Sequence, residues 1–343
     1  MSQPTTAKSI LLQQHISTIA IWRPLKFGDF LVTVPALKAL RAAFPKATID
    51  YIGLPLTERL AARYDAYIDN YVMFPGLPGL PEREWQPDAV IRFFTAMQHR
   101  QYDLLLQLQG NGSVVNHFIP LCGAKITAGF TSAGAPAPSE FFMTYPEGTH
   151  EITKQLQLLA FLGIPTPSDA MEFPVRPEDI TTLHTLPEAQ GLGTDYICIH
   201  PGGVSGGRWE PKYFAAVADT LSSEGYQIVL TGTEQEKSTI TQVQQHMRSP
   251  AVDLTGKTEV GQLAALLQQS RLYIGNDTGP SHMAVALGTP SVTIFTTADP
   301  VRWAPLDATL HPIIPSSKAT PQTVIRAAQQ LLATRRTIHA SNI

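Results

Sequence analysis

The stretch Gly275-Asn276-Asp277-Thr278-Gly279-Pro280-Ser281-His282 sets an acid, a hydroxyl and a histidine between an apolar run and a helical one. Pro280 suits the first turn of a helix, where its missing N–H costs nothing. Free N–H groups and the positive end of the helix dipole would favour a phosphate at this turn. Gly279 would let that ligand approach the backbone closely. Local chemistry leaves two readings for Asp277 and Thr278: a helix N-cap or a ligand contact. His282 alone reads as a hydrogen-bonded structural histidine.

Three further stretches invite chemistry. In His200-Pro201-Gly202-Gly203-Val204-Ser205-Gly206-Gly207-Arg208-Trp209, four glycines separate an apolar run from a helical one. Backbone amides there can form an anion nest, and Arg208 adds a charge that fits phosphate oxygens. The alternative is a flexible connection, which rarely divides a buried strand from a helix. Lys26-Phe27-Gly28-Asp29 follows the first apolar run. Asp29 either caps the next helix or serves as a general base for a substrate hydroxyl. Between Lys8 and Lys46 the bases are Lys8, Arg23, Lys26, Lys38, Arg41 and Lys46, and Asp29 is the sole acid. That field suits an anionic acceptor or an ordinary solvated face. Finally, Thr231-Gly232-Thr233-Glu234-Gln235-Glu236 ends another strand, where a carboxylate can accept ribose hydroxyls. Sequence does not choose between Glu234 and Glu236.

Several chemistries are disfavoured. Gly256-Lys257-Thr258 resembles the end of a phosphate-binding P-loop, but the glycine required five positions earlier is Ala251. No GxGxxG or Asp-x-Asp occurs. Cys122 and Cys198 are the two cysteines and form no metal-ligand spacing, which fits a reducing compartment. A net charge of −3 gives no signal for nucleic acid. The N-terminus lacks the apolar core of a secretory signal, and no run approaches a membrane span. These features predict a cytoplasmic protein.

The elements that must hold these residues alternate. Apolar runs at Ser17–Arg23, Thr48–Ile52, Tyr102–Leu108, Lys125–Phe130, Tyr196–His200, Gln227–Thr231, Ala251–Leu254, Leu272–Gly275 and Ser291–Phe295 read as strands. Helical patterns fall between them, as at Phe214–Ser223 and Val260–Gln269, and a last helix at Pro321–Ala333. Strands apolar on both faces and separated by helices predict parallel α/β sheets. With 343 residues, two domains are expected. The stretch Gly163–Pro177 carries four prolines and reads as the linker. The expected domains are therefore 1–170 and 171–343, facing across a cleft at their strand ends, with the final helix free to pack back on the first.

Together these stretches resemble glycosyltransferase family 9, the ADP-heptose:lipopolysaccharide heptosyltransferases and their relatives. The likeness runs in order from Ile21 to Trp303 and is most specific from Asp253 to Phe295, and next at Gly28-Asp29 with Thr33-Val34-Pro35. It implies the GT-B fold, with two Rossmann-like domains, the acceptor mostly on the first and the nucleotide-sugar donor mostly on the second. It implies inverting transfer without a metal or other cofactor. Carried over, Asp29 matches the general base. Asp277, Thr278 and Gly279 match the turn holding the donor sugar and diphosphate, with His282 nearby. Glu234 or Glu236 matches the ribose acid, and Leu254–Gly256 flank the nucleobase. The glycine loop (Gly202, Gly203, Ser205, Arg208) and Thr231 complete the donor set, and Arg23, Lys26, Gly28, Lys38 and Arg41 the acceptor set.

One position departs: many members carry a lysine before the Arg-Trp, where this chain has Gly207. Either Arg208 takes its place on the diphosphate or backbone amides do. The implied partners are ADP-heptose and an anionic lipopolysaccharide-core glycan, with at most peripheral contact at the inner face of the cytoplasmic membrane. A nucleotide-sugar epimerase of the same fold is the alternative, or a non-catalytic relative. Retained Asp29 and the intact NDTGPSH stretch argue against the latter.

Overall fold

Twelve strands are found among the described residues, which are 10–203 and 207–340 of the computed structural model. In the first half they are β1 (Thr18–Trp22), β2 (Thr48–Gly53), β3 (Asn70–Met73), β4 (Leu104–Gln107), β5 (Ile126–Thr131) and β6 (Phe142–Thr144). In the second half they are β7 (Tyr196–His200), β8 (Gln227–Leu230), β9 (Val252–Asp253), β10 (Leu272–Asn276), β11 (Ser291–Phe295) and β12 (Ile313–Pro315). The chain divides into two compact units, Met1–Ala170 and Met171–Ile343.

Each unit holds one six-stranded sheet. The orders are β3-β2-β1-β4-β5-β6 and β12-β11-β10-β7-β8-β9. Every pairing in both is parallel. Counted within its own unit, the second sheet repeats the order of the first. Both therefore have the doubly wound Rossmann-like arrangement, in which the strand order reverses beside the first strand and opens a ligand crevice at the carboxyl ends. β1 and β4 flank that point in the first unit, and β7 and β10 in the second.

The central strands are buried end to end, as their unbroken apolar runs require. In the first unit Trp22 meets Phe74 and Phe93 edge-on, with ring centroids 5.5 and 5.8 Å away. In the second, Phe214, Val217 and Leu221 of helix Pro211–Ser223 pack on Ile197, Ile228 and Ile274. Pro211 starts that helix in its first turn. Helix Val260–Gln269 is started by Gln262, whose Oε1 accepts the Glu259 N–H at 2.8 Å. In the final helix, Val324, Ala328 and Leu332 lie in this second core. Among the described residues, no helix is long and apolar enough to cross a membrane.

Candidate active site

In the first unit, the chain leaves β1 through Arg23 and turns into the short helix Phe27–Leu31, which carries Asp29. Asp29 thus lies at the carboxyl edge of the sheet, beside the point where strand order reverses. Its Oδ2 accepts the Lys26 N–H at 3.3 Å, so the acid does close the first turn of its helix. Arg23 is 2% exposed. Its Nε donates to the Asp29 carbonyl at 3.3 Å, and another of its nitrogens donates to the Leu108 carbonyl beyond β4. Its Nη2 lies 3.6 Å from Asp29 Oδ1 and 3.6 Å from Glu151 Oε2. Burial pushes the Asp29 carboxyl above its ordinary value; Arg23 opposes the shift and Glu151 adds to it. The same acid can therefore cap a helix and hold a proton.

The expected acceptor field does not stay together. Arg23 is a buried internal partner of Asp29 rather than an exposed cation. Arg41 donates to the Ala47 carbonyl at 2.6 Å and pairs with Asp69 at 2.6 Å. Ala47 and Asp69 precede β2 and β3, so Arg41 sits where the strands begin, at the edge opposite Asp29. Its helix, Val34–Ala43, runs away from the site and carries it there. Lys26 is exposed and Gly28 half-buried, both beside Asp29, and Lys38 is half-buried further along the next helix.

In the second unit, the loops after β7, β8, β9 and β10 gather at one edge. Asn276, 1% exposed, ties two of them. Its amide nitrogen donates to the Pro201 and Gly202 carbonyls, each at 2.9 Å, while its Oδ1 accepts the Trp209 N–H at 3.1 Å. Both ends of the glycine loop are thereby fastened to the end of β10. Ser205 lies outside the described residues. Gly203 has φ of 142°, a conformation that favours glycine. A methyl at Gly202 would overlap the Glu236 carboxylate.

Arg208 donates to the Thr239 hydroxyl, and the Thr296 hydroxyl donates to the Gly207 carbonyl. A Cβ at Gly207 would lie 2.9 Å from Thr297 Oγ1, so the segment after β11 crowds this position.

The two acids after β8 separate. Glu236 accepts the Gly203 N–H at 2.6 Å through one oxygen and the Thr233 N–H at 2.8 Å through the other. Burial favours its neutral form, but His200, 3.7 Å away, and these hydrogen bonds outweigh it and hold the carboxyl low. His200 itself is buried against the Thr231 hydroxyl at 3.1 Å, and burial depresses its pKa. Thr231 is 1% exposed and Leu254 fully buried, so both side chains serve the core. Glu234 is exposed, pairs with Lys237 at 3.1 Å and adjoins Gly256. The Gly256 N–H donates to the Gly232 carbonyl at 2.8 Å, joining the loops after β8 and β9.

At the β10 turn, capping falls to Thr278 and Ser281, not Asp277. The Thr278 N–H donates to Ser281 Oγ at 3.2 Å, ahead of helix Gly279–Ala286. Asp277 Oδ1 is buried without a hydrogen-bond partner among the described residues and lies 3.7 Å from His282 Nε2. Burial pushes the Asp277 carboxyl up to about 6. His282 in turn packs edge-on to Trp303, with ring centroids 5.9 Å apart. The local sequence left cap and ligand contact open for Asp277, and the geometry removes the cap.

Sequence reasoning missed Asn276, Glu151, Thr296 and Trp303. Asn276 stands inside the quoted turn, yet nothing local shows that its amide spans two loops. Glu151 begins a helix 122 positions after Asp29, and no motif links them.

Two parallel Rossmann-like units of this kind are the architecture of the GT-B fold, which by itself does not choose between sugar transfer and nucleotide-sugar epimerisation. The description "Glycosyltransferase family 9 (heptosyltransferase)" matches residues 90–331, and the chain belongs to that family. Lipopolysaccharide heptosyltransferase 3 of Escherichia coli is 25% identical over 292 residues, covering 81% of this chain and 83% of that protein. The crystal structure of a family 9 glycosyl transferase from Veillonella parvula superposes with a TM-score of 0.81 at 21% identity, covering 94% of this chain and 99% of the other. The E. coli ADP-heptose lps heptosyltransferase II gives 0.77 at 18% identity, covering 94% and 100%. These two likenesses bear on the fold, and the family match bears on the activity: the protein is a glycosyltransferase.

Proposed function

We propose that this protein is an inverting heptosyltransferase that moves heptose from ADP-heptose onto an anionic lipopolysaccharide-core glycan. The names of its relatives point to that donor and that acceptor class. In this reading the first unit receives the acceptor and supplies the base, and the second holds the donor. The acceptor hydroxyl oxygen bonds to the anomeric carbon as the bond from that carbon to the phosphate oxygen breaks. Asp29 takes the hydroxyl proton, and ADP leaves with the electron pair. The acceptor reaches its enzyme by peripheral contact at the inner face of the cytoplasmic membrane.

The observation that carries the reading is a pair of carboxyls at the carboxyl ends of β1 and β10, each largely withdrawn from solvent. Burial at the end of β1 raises the Asp29 carboxyl above its ordinary value, which favours a proton acceptor. Asp277 Oδ1 is buried at the end of β10 without a hydrogen bond among the described residues, a costly arrangement that a bound donor sugar would relieve through its hydroxyls. Amides of the glycine loop and of Thr278–Gly279, with Arg208 exchanging Thr239 for a phosphate oxygen, stabilise the leaving diphosphate. Glu234 is the better-placed ribose acid, because both oxygens of Glu236 already hold the glycine loop and the β8 turn. Glu236 then positions the nest instead of touching the ribose.

The test is ADP release from ADP-heptose with a heptose-deficient core acceptor. Acceptor-dependent release supports the proposal. Release of an epimerised nucleotide sugar without acceptor would overturn it in favour of the epimerase.

A further inference from the structure

Asp29, Arg23, Glu151 and Lys154 form a chain of charges that the transfer mechanism alone does not explain. Glu151 is 5% exposed, Lys154 1% and Arg23 2%. Lys154 Nζ lies 2.8 Å from Glu151 Oε1 and donates to the Tyr145 hydroxyl at 2.8 Å. The other Glu151 oxygen, Oε2, faces Arg23 Nη2 at 3.6 Å, the distance at which that nitrogen also faces Asp29 Oδ1. Arg23 Nη2 is buried and makes no hydrogen bond among the described residues. A single guanidinium nitrogen thus stands between two carboxylates, bonded closely to neither.

The remaining groups near Asp29 are Lys26, exposed on the same turn, and Tyr51, whose hydroxyl donates to the Arg23 carbonyl at 3.1 Å. Glu151 is brought to the site by helix Glu151–Phe161, on which Gln155 donates to the Val32 carbonyl at 3.4 Å. With both acids ionised, Arg23 and Lys154 balance Asp29 and Glu151, and Lys26 adds an exposed positive charge at the rim.

We infer that Glu151 is a positioning residue for the reaction: by sharing Arg23, it keeps the guanidinium from closing on Asp29 and leaves that carboxylate free to accept a proton. This rests on the proposed role of Asp29 as the base. An aspartate locked to a buried arginine is a weak base, because an opposite charge at contact distance favours the ionised form. A second carboxylate on the same arginine divides that attraction and keeps a counter-ion on Arg23 when Asp29 is protonated. Lys154 and Tyr145 hold Glu151 in place from the other side.

The experiment compares Glu151→Gln with wild type by two readouts. The first is the pH dependence of kcat and of KM for ADP-heptose. The second is direct titration of Asp29 in isotope-labelled protein, its signal assigned by its loss in Asp29→Asn. In Glu151→Gln the acidic limb of kcat and the Asp29 titration both move down by about one pH unit. On the plateau kcat falls several-fold and KM for the donor stays put. An unmoved limb with an unmoved titration would overturn the inference.

Glu151→Asp, which keeps the charge on a shorter arm, shifts both readouts in the same direction by less. Should Glu151→Gln fail to fold, Glu151→Asp carries the test, and unchanged readouts in it overturn the proposal. If instead Asp29→Asn transfers heptose at the wild-type rate, the base assignment fails. The Asp29 titration still reports whether Glu151 governs that carboxylate.

Discussion

A carboxylate that is to take a proton from a sugar hydroxyl must resist both full solvation and a full ion pair. Asp29 meets both conditions, being 21% exposed in its side chain and 3.6 Å from a guanidinium that Glu151 shares. Asp29→Asn keeps the helix start and removes the proton acceptor. It should lower kcat by about 10²–10⁴-fold while ADP affinity stays within two-fold, as isothermal titration with ADP would check. Asp277 yields a prediction of opposite kind. Its carboxyl titrates near 3.8 unfolded and near 6 folded, so the fold prefers the protonated form. Stability therefore declines as pH rises between those values and stays low above them. Asp277→Asn should gain roughly 1–3 kcal/mol over wild type at pH 7. That gain should vanish below about pH 4, and transfer should fall at every pH. Denaturant melts across this range would show it; an Asn variant less stable at pH 7 would contradict the burial account.

At the scale of elements, the reactive groups are held by what ends each strand. Asn276 closes both ends of the glycine loop with three hydrogen bonds. Asn276→Ala orphans those backbone groups and should cost about 2–3 kcal/mol. It should also weaken ADP binding by about ten-fold as the nest loosens, near the free energy of one good hydrogen bond. Gly202→Ala should weaken binding for a different reason, by driving the Glu236 carboxylate off the Gly203 N–H.

Eight of the nine strands legible as apolar runs lie inside their sheets, where parallel strands are buried on both faces; the ninth, β9, is a two-residue edge strand that stood out only as part of the run Ala251–Leu254. The missed β3, β6 and β12 are outer strands of three or four residues, too short and too mixed to stand out. The turns bearing Asp29 and Asp277 were legible for the same reason as the strands they end. Glu151 was not, since its meaning depends on where a distant helix packs. The placement of Arg41 beside Ala47 and Asp69 was not legible, because a charge run in sequence does not say which end of its helix faces the site.

For the whole molecule, the two sheets share one strand order, and the residues proposed to hold the nucleotide lie on the second. ADP should therefore raise the unfolding temperature of that unit selectively. At about 100 times its Kd the expected gain is about 2.7 kcal/mol, or several degrees for a unit of this size. UDP and GDP at equal concentration should give less; an equal response to all three would remove the case for an adenine nucleotide. The account stands or falls on one comparison: acceptor-dependent ADP release from ADP-heptose by wild type and by Asp29→Asn. It predicts steady release by wild type only with the core acceptor present, and a rate lower by at least about 100-fold in the variant. Equal rates in the two proteins, or release that ignores the acceptor, would contradict it.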